Sequence, residues 1–300
     1  MKQEVSNAKE QIMFERATMP LDKMFSIGRR SAQSVSSSRY YHFHDFYEIY
    51  YLYQGERYYF IKDKTYHVKS GNLVLVKPYD IHCTVTYTKQ SFDRHLVEFS
   101  KEYISEILCL PEGADLLKCF SGDVYIIKLN MQQQHYIETM LQSMQNEYND
   151  KNEGYDLYLK TALAQLLVFV NRNCDKQSQA DTGYINQAHK TISEITAYIN
   201  NNYQTDITLA TISKKFYISP YHLSRTFKAN TGFSFVEYLN GVRIKEAQNL
   251  IRKTDKTIAD IAQYVGYNSV THFGRVFKNI TGISPVNYKK LHYQNKDKKD

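Results

Sequence analysis

The feature that most constrains the fold is an internal repeat near the carboxyl end of the chain. The segment LATISKKFYISPYHLSRTFKANTGFSFVEYL (Leu209–Leu239) aligns with IADIAQYVGYNSVTHFGRVFKNITGISPVNYK (Ile258–Lys289). The first matches, such as Ile212 with Ile261, are 49 residues apart, and the later ones, such as Arg225 with Arg275, are 50 apart. Two copies of one supersecondary unit therefore follow each other, with one residue inserted in the second.

The first copy is predicted to be a helix, a tight turn and a second helix. Thr208 is a suitable N-cap for a helix over residues 209–216. Ser219 is a second N-cap, and Pro220 follows at the first helical position, where its missing N–H costs nothing. Leu223 and Phe227, four residues apart, then face inward. This pattern predicts a helix-turn-helix.

The second copy has the same pattern with different turn chemistry. Gly266 permits a left-handed turn, and Asn268 is the expected cap of the following helix. Phe273 and Phe277 face inward, and the small Ala262 lets the two helices cross closely. A helix over residues 234–252 joins the two units.

The paired units, with SPYHLSRTFKANTG, YLNGVRIKEAQNLI, IADIAQYVGY and FGRVFKNITGISPVNY, resemble the DNA-binding domain of the AraC/XylS family over Lys190–Leu291. Tyr217 departs from the pattern, at a turn position that favours Asn or Gly. The resemblance implies two recognition helices in successive major grooves. The DNA-facing residues that it implies are Tyr221, His222, Ser224, Arg225 and Lys228 in the first copy and Val270, Thr271, His272, Arg275 and Lys278 in the second.

Within that set the arginines and lysines have different expected roles. Arg225 and Arg275 contact base edges, clamp phosphates or pair with acidic side chains inside the domain. Lys228 and Lys278 meet phosphate or solvent. From Lys190 onward the chain holds 17 basic and 8 acidic side chains, a net charge of +9, whereas the remainder carries −2. The basic carboxyl-terminal part favours double-stranded DNA as a partner, although surface lysines also serve solubility.

Residues 25–129 have the alternating pattern of β-strands. EIYYLYQGERYYFI predicts a hairpin about Gly55, and TYHVKSGNLVLVKP predicts two strands about Gly71. The stretch HFHDFYEIYYLYQG resembles the cupin signature, in which two histidines, a glutamate and a later histidine point into a barrel. The corresponding residues here are His42, His44, Glu48 and His82. His82 departs from the enzyme pattern, because PYDIH lacks the usual glycine and is one residue short.

Three interpretations of this motif remain open. The residues line a pocket for a small polar effector such as a carbohydrate, with Tyr50, Tyr58 and Arg94 as further candidates. Alternatively His42, His44, Glu48 and His82 hold a divalent metal, or the histidines only satisfy local hydrogen bonds. No other cofactor is expected. The family resemblance predicts a sensor and not an enzyme, and a metal-dependent cupin enzyme with a basic accessory domain is the alternative.

Two helices are predicted over residues 131–173, where Tyr136, Met140 and Met144 recur every four residues and LLVFV is strongly apolar. They resemble the pair that dimerises regulators of this family, which predicts a homodimer. The apolar residues that serve either that interface or packing on the barrel are Tyr136, Met140, Met144, Leu159, Leu163, Leu166, Leu167 and Val170. The polar stretch 174–189 is predicted to be a linker.

The sequence thus predicts a two-domain α+β protein: an all-β cupin-like barrel, a helical pair, and an all-α domain with two helix-turn-helix units. The predicted segments are an arm (1–20), the effector-binding domain (21–130), the helical pair (131–173), the linker, the DNA-binding domain (190–292) and a charged tail (293–300). No membrane span or signal peptide is expected, and four scattered cysteines suit a cytoplasmic protein. RNA polymerase is a further expected partner if the regulator is an activator.

Overall fold

The architecture was analysed in a computed structural model of the chain. It describes residues 24–32, 44, 46–85, 91–110, 115–122, 125–174 and 187–294. The predicted arm (1–20), most of the predicted linker and most of the charged tail lie outside the described residues.

The amino-terminal domain consists of two antiparallel sheets that face each other. Its strands are β1 (Phe25–Ala32), β2 (Tyr47–Gln54), β3 (Glu56–Ile61), β4 (Lys64–Lys69), β5 (Asn72–Val76), β6 (His82–Val85), β7 (Phe92–Phe99) and β8 (Ile126–Lys128). One sheet has the order β1-β7-β2-β5-β8 and the other has the order β4-β3-β6. The predicted hairpins about Gly55 and Gly71 are both present, and both glycines have positive φ angles.

Strand alternation divides the apolar side chains of this domain between an interior and an outer layer. Tyr50 and Val74 belong to the interior cluster enclosed by the two sheets. Ile49, Tyr51 and Leu73 point to the other side of the large sheet, where they pack against the helical pair. The central strands β2 and β5 are therefore covered on both faces.

The helical pair is formed by α2 (Met131–Asp150) and α3 (Tyr155–Cys174), after the short α1 (Ser105–Leu108). Asn130 and Gln133 form a capping box at the start of α2, and Lys151 ends that helix in a left-handed conformation. Among the apolar residues named from the sequence, those buried against the sheet are Met144, Leu159, Leu163, Leu166, Leu167 and Val170. Packing on the β domain is thus the main role of that set.

The carboxyl-terminal domain is entirely helical in its described residues. Its helices are α4 (Gln187–Asn202), α5 (Leu209–Lys215), α6 (Pro220–Thr231), α7 (Phe235–Lys253), α8 (Ile258–Tyr264), α9 (Val270–Thr281) and α10 (Pro285–Gln294). The helix α4 begins three residues before the predicted boundary at Lys190, and α10 extends into the predicted tail. The predicted two-domain α+β class is confirmed.

The linking helix α7 contributes to both helix-turn-helix cores. Tyr238 and Val242 are buried with the first unit, whereas Ile244 and Ile251 are buried with the second. Because one helix fills both cores, the two units form one packed body. Within the residues that the structure describes, no helix is long and apolar enough to cross a membrane.

Candidate effector site and DNA-binding surface

Three polar side chains meet inside the β domain and are called here the interior triad: His44, Glu48 and His82. Glu48 lies on β2, His44 precedes that strand, and His82 opens β6. Their exposed fractions are 4, 3 and 2%. A carboxylate buried to this extent requires charge compensation, since an isolated ionised group in a protein interior is very costly.

The hydrogen bonds of the triad define how its imidazoles are oriented. Nδ1 of His44 lies 2.9 Å from the carbonyl oxygen of Phe46, and Nδ1 of His82 lies 2.8 Å from that of Asp80. A carbonyl oxygen only accepts, so each Nδ1 carries the proton. The Nε2 atoms of His44 and His82 lie 3.2 and 3.4 Å from Oε2 of Glu48. If both rings were neutral, the lone pairs of their Nε2 atoms would point at the Glu48 carboxylate and repel it. The geometry therefore requires a positive charge between the rings and the carboxylate.

The pKa values indicate which ring takes a proton. Burial alone would raise the pKa of Glu48, but the bonds to His44 and His82 outweigh it and hold that pKa well below its usual range. Burial lowers the pKa of His44. At His82 burial is outweighed by the contact with Glu48, which raises the pKa of His82. These directions favour an ionised Glu48, and of the two rings His82 is the one that favours the proton.

A divalent metal would satisfy the same geometry. One potential ligand atom from each triad residue lies within 4.8 Å of the others. Two imidazole nitrogens and a carboxylate oxygen suit Mn, Fe, Ni or Zn. The Nδ1 bonds to backbone carbonyls are the support that orients metal-binding histidines. The residues of the triad fit such an ion, which would supply the positive charge that the arrangement requires.

The other sequence candidates for the effector site divide between two faces. Tyr50 is buried in the interior with its ring centroid 5.1 Å from that of Tyr59. The guanidinium of Arg94 lies 5.8 Å from the centre of the Tyr50 ring. Tyr58 lies on the opposite face of β3, stacked on His67 at 4.7 Å, so the structure does not bring it to the triad. His42 lies outside the described residues.

Sequence reasoning missed three residues of the interior: Arg57, Tyr59 and Glu98. The sequence could have identified them, because side chains of a strand point alternately to its two faces. Arg57 and Tyr59 have the opposite parity to Tyr58 on β3, and Glu98 has the same parity as Arg94 on β7. The mistaken choice of Tyr58 came from treating the aromatic run of β3 as uniform.

The first unit presents most of its predicted DNA-facing side chains to solvent. Tyr221 is 76% exposed, and His222, Ser224 and Arg225 are also exposed, whereas Lys228 is half-buried. Ser219 caps α6 by accepting from the His222 N–H, with Pro220 at the first turn, as predicted. Leu223 and Phe227 are fully buried, as expected for core residues.

The second unit repeats this arrangement. Val270 is 49% exposed, and the other residues named from the sequence, Thr271, His272, Arg275 and Lys278, are also exposed. The predicted cap at Asn268 is wrong, since Ser269 accepts the hydrogen bond from the His272 N–H. The two N-caps are thus equivalent residues of the repeat, and the inserted residue lies before them.

The turns of the two units share an unusual backbone conformation. Tyr217 has a φ of 55° and the equivalent Gly266 has a φ of 93°. Tyr217 is 96% exposed, so no tertiary packing compensates its side chain for the left-handed backbone. Tyr217, the residue that departs from the family pattern, therefore lies in an unfavourable left-handed backbone conformation.

The helical domain is docked on the outer face of β3 and β6. Phe60, Ile81 and Cys83 are buried in the same cluster as the core of the first helix-turn-helix. The Tyr238 hydroxyl donates to the Lys62 carbonyl oxygen. Further cross-domain contacts join Cys83 Sγ to the Thr231 carbonyl oxygen at 2.9 Å, Thr196 Oγ1 to the Asp63 carbonyl oxygen at 3.4 Å, and Lys245 Nζ to Asp80 Oδ1 at 3.5 Å.

A β domain with a buried polar site, joined to two helix-turn-helix units that expose their second helices, defines a DNA-binding regulator with a ligand-binding domain. Two family models match the chain: an AraC-like ligand binding domain over residues 27–167, and a helix-turn-helix domain over residues 212–291. The chain belongs to the AraC family of transcriptional regulators.

Individual relatives agree with this assignment. An uncharacterized HTH-type transcriptional regulator, YfiF of Bacillus subtilis, is 28% identical over 85% of this chain and 80% of its own length. The HTH-type transcriptional activator RhaR of Mannheimia succiniciproducens is 23% identical over 83% of this chain and 86% of its own. The expectation of a regulator rather than an enzyme is confirmed by this membership.

The chain also matches a solved structure over most of its length. The apo form of a ToxT variant from Vibrio cholerae matches 89% of this chain and 97% of its own, with 16% identity and a TM-score of 0.41.

Proposed function

We propose that this protein is an effector-responsive regulator that binds specific DNA sites through α6 and α9. A small polar molecule bound at the interior triad would change how the helical domain is held against the β domain. The observation that carries this proposal is the position of β6, where His82 faces the triad and its neighbours Ile81 and Cys83 are buried in the domain interface. A change at the triad therefore acts on the interface through one short strand.

The proposed mechanism is a population shift between docked and released arrangements of the helical domain. An effector shifts such an equilibrium only if it binds the two arrangements with different affinity. The interface includes three polar contacts in which a backbone carbonyl accepts the hydrogen bond. Release would also expose Phe60, Ile81 and Cys83, which are buried in one cluster with the core of the first helix-turn-helix, so the effector must bind the released arrangement tightly enough to offset that cost.

The DNA contacts follow from the exposed side chains of α6 and α9. Arg225 and Arg275 are proposed to contact base edges, since arginine forms bidentate bonds with guanine. Tyr221 and Thr271, near the start of each recognition helix, are proposed as further base contacts, and the lysines as phosphate contacts. Such a protein acts where the DNA is, which supports a cytoplasmic location. RNA polymerase is a proposed partner if the protein activates transcription.

The experiment that tests the function is selection of bound fragments from random DNA, with and without candidate sugars. We expect a recurrent sequence whose affinity exceeds that for random DNA by about 10³-fold or more. We also expect His44→Ala to remove the effector response while leaving DNA binding intact. Specific affinity only marginally above that for random DNA would instead favour a structural nucleoid-type protein.

Metal binding at the interior triad is a second proposal about the same site. Elemental analysis of the purified protein, compared with Glu48→Gln, tests it directly. Near-stoichiometric Mn, Fe, Ni or Zn that is lost in the variant supports a resident ion. Metal content below stoichiometry in both proteins would favour a protonated triad that contacts the effector itself.

A homodimer is proposed through the outer face of the helical pair. There α2 and α3 leave two shallow grooves of about 520 and 750 Å³, which share Tyr136, Gln132 and Gln165. Tyr136 is 46% exposed and stacks on Phe169 at 5.2 Å. A second copy would cover this apolar strip. Equilibrium sedimentation should show a dimer that Tyr136→Glu dissociates, whereas the exposed Leu110→Glu outside the pair should leave it intact.

A further inference from the structure

The turn of the first helix-turn-helix exposes an aromatic side chain directly before the recognition helix α6. We propose that the hydroxyl of Tyr217 donates a hydrogen bond to a DNA phosphate beside the major groove that α6 enters. The first unit would then have a contact with the DNA backbone that the second unit lacks. This inference adds to the contacts proposed for Tyr221 and Arg225, and it rests on the proposed entry of α6 into the groove.

The two turns share a backbone hydrogen bond at equivalent positions of the repeat. In the first unit the Ile218 N–H donates to the Ser213 carbonyl oxygen at 3.0 Å. In the second unit the Tyr267 N–H donates to the Ala262 carbonyl oxygen at 2.9 Å. Each bond closes the turn over the residue with the positive φ, which is Tyr217 in the first unit and a glycine in the second. The turn therefore imposes a left-handed conformation that is unfavourable for tyrosine.

The surroundings of the two turns differ. A Cβ atom at Gly266 would lie 2.9 Å from the carbonyl oxygens of Tyr203 and Gln204, so the second turn has no room for a side chain. The first turn is open, since the Tyr217 side chain is almost fully exposed. Of the two turns, only the first can present a side chain to a partner.

Packing does not account for a tyrosine in the first turn. Its ring is exposed, and glycine would adopt the same backbone without steric cost. Residues held in sparsely populated backbone conformations are concentrated at binding and active sites. The neighbouring surface is aromatic and basic, since Tyr221 is 76% exposed and Lys214 on α5 is also exposed. Such a surface suits a polyanion, in agreement with the net charge of +9 from Lys190 onward.

The position of Tyr217 in the chain favours the DNA backbone as its partner. Tyr217 lies three residues before Pro220, which opens α6. A recognition helix lies in the major groove with its amino-terminal residues at the base edges. The chain that leads into this helix must therefore pass one of the two phosphate strands that border the groove. The groove is only about 12 Å wide, so a side chain that projects from this turn is within reach of a phosphate oxygen.

A phosphate contact made by a hydroxyl has a distinct signature in binding experiments. Tyrosine is among the side chains that donate to phosphate oxygens, and such contacts carry no sequence information. Specific and random DNA should therefore lose affinity together when the hydroxyl is removed. The hydroxyl neutralises no phosphate charge, so the salt dependence of binding should not change, whereas loss of a lysine contact lowers it.

The test compares the wild type with Tyr217→Phe and Tyr217→Gly in the full-length protein. Fluorescence anisotropy at several salt concentrations measures binding to the selected DNA site and to a random fragment of equal length. We expect Tyr217→Phe, which removes only the hydroxyl, to weaken binding to both DNAs about three- to tenfold with an unchanged salt slope. Tyr217→Gly should lose at least as much. Thermal unfolding of each variant shows whether the fold is retained.

Phosphate ethylation interference locates the contact on the DNA. We expect one interfering phosphate beside the groove occupied by α6 in the wild type and its loss in Tyr217→Phe. The matched control is Tyr155→Phe, which removes the hydroxyl of a half-buried tyrosine on α3, outside the helical domain. This variant should keep the wild-type affinity and every interfering phosphate.

Wild-type affinity for both DNAs in Tyr217→Phe and in Tyr217→Gly would overturn the inference. A loss confined to Tyr217→Gly would assign the contact to the ring, and a loss confined to the selected site would assign it to a base. Either result would overturn the phosphate contact. Failure of the wild type to prefer its selected site would instead contradict the proposed function, and the measurements on random DNA would still decide the role of Tyr217.

Discussion

His82 and Cys83 are consecutive residues of β6, and their side chains point to opposite faces of one sheet. The Nε2 atom of His82 lies 3.4 Å from the Glu48 carboxylate inside the β domain. The thiol of Cys83 donates to the Thr231 carbonyl oxygen of α6 at 2.9 Å. One peptide unit therefore separates the candidate effector site from the DNA-binding domain. A displacement of β6 at the triad reaches the helical domain without an intermediate element.

The thiol of Cys83 reports whether the domains are docked. Cys83 is 1% exposed at the interface, and Cys109 is exposed on the surface. We expect Lys245→Gln, which removes the contact with the buried Asp80, to accelerate alkylation of Cys83 by about two- to fivefold. Asp80 keeps its second ion pair with Lys62 at 3.8 Å, so the loss is about 1 kcal/mol or less. Mass spectrometry of trapped peptides measures the rate at each cysteine.

The matched control is Lys253→Gln, an exposed lysine on the same helix α7. It should leave the labelling of Cys83 unchanged. Cys119 and Cys174, which are buried between the large sheet and the helical pair, away from the domain interface, should label slowly in every variant. Wild-type labelling of Cys83 as fast as that of Cys109 would show that the docked arrangement is not populated.

A second prediction concerns the two equivalent turns. Tyr217→Gly should increase the free energy of unfolding by about 0.5–1 kcal/mol, because glycine adopts a positive φ without steric cost. Gly266→Ala should lower it by about 1–3 kcal/mol, since the added Cβ would lie 2.9 Å from the carbonyl oxygens of Tyr203 and Gln204.

Urea denaturation of both variants measures these changes. Tyr264→Gly replaces a half-exposed helical aromatic of the second unit, and it should be destabilising, as glycine is within helices. If Tyr217→Gly also destabilises the protein, then the Tyr217 side chain makes a compensating contribution that its exposure does not reveal.

The double helix-turn-helix was predictable from the sequence because its signals are local. Caps at Thr208 and Ser219, the inward pair Leu223 and Phe227, and the left-handed Gly266 are each encoded within a few residues. Repetition of the pattern made the assignment stronger. The one error, the cap at Asn268, arose because an insertion placed two good capping residues side by side.

The β domain was less predictable because its site depends on pairing between distant strands. The parity of Glu48 and Tyr50 was available from β2 alone. Arg57 on β3 and Arg94 on β7 come close enough for their charges to interact only because the two sheets close on each other, which no local pattern specifies. The docking of Cys83 on α6 is likewise a contact between residues 148 positions apart.

A third prediction separates base contacts from phosphate contacts. Arg225→Ala should weaken binding to the selected DNA site by about 1–3 kcal/mol and reduce the preference over random DNA. Lys278→Ala should weaken binding to both DNAs nearly equally and lower the salt dependence by about one unit. Fluorescence anisotropy at several salt concentrations measures both quantities. An equal loss on specific and random DNA for Arg225→Ala would assign that side chain to phosphate.

The last prediction is a pH dependence of stability that comes from His95. This ring is fully buried, and its Nδ1 is hydrogen-bonded to the Tyr53 hydroxyl at 2.8 Å. Burial lowers the pKa of His95 from 6.5 to about 4, so between these values the unfolded chain binds more protons than the folded one. The contribution of His95 is complete above pH 6.5 and is lost as the pH falls towards 4, by up to roughly 3 kcal/mol. Urea denaturation of His95→Gln should show a shallower decline over that window, whereas the exposed His135→Gln should follow the wild type. A decline of equal slope in wild type and His95→Gln would assign the acid sensitivity to other groups.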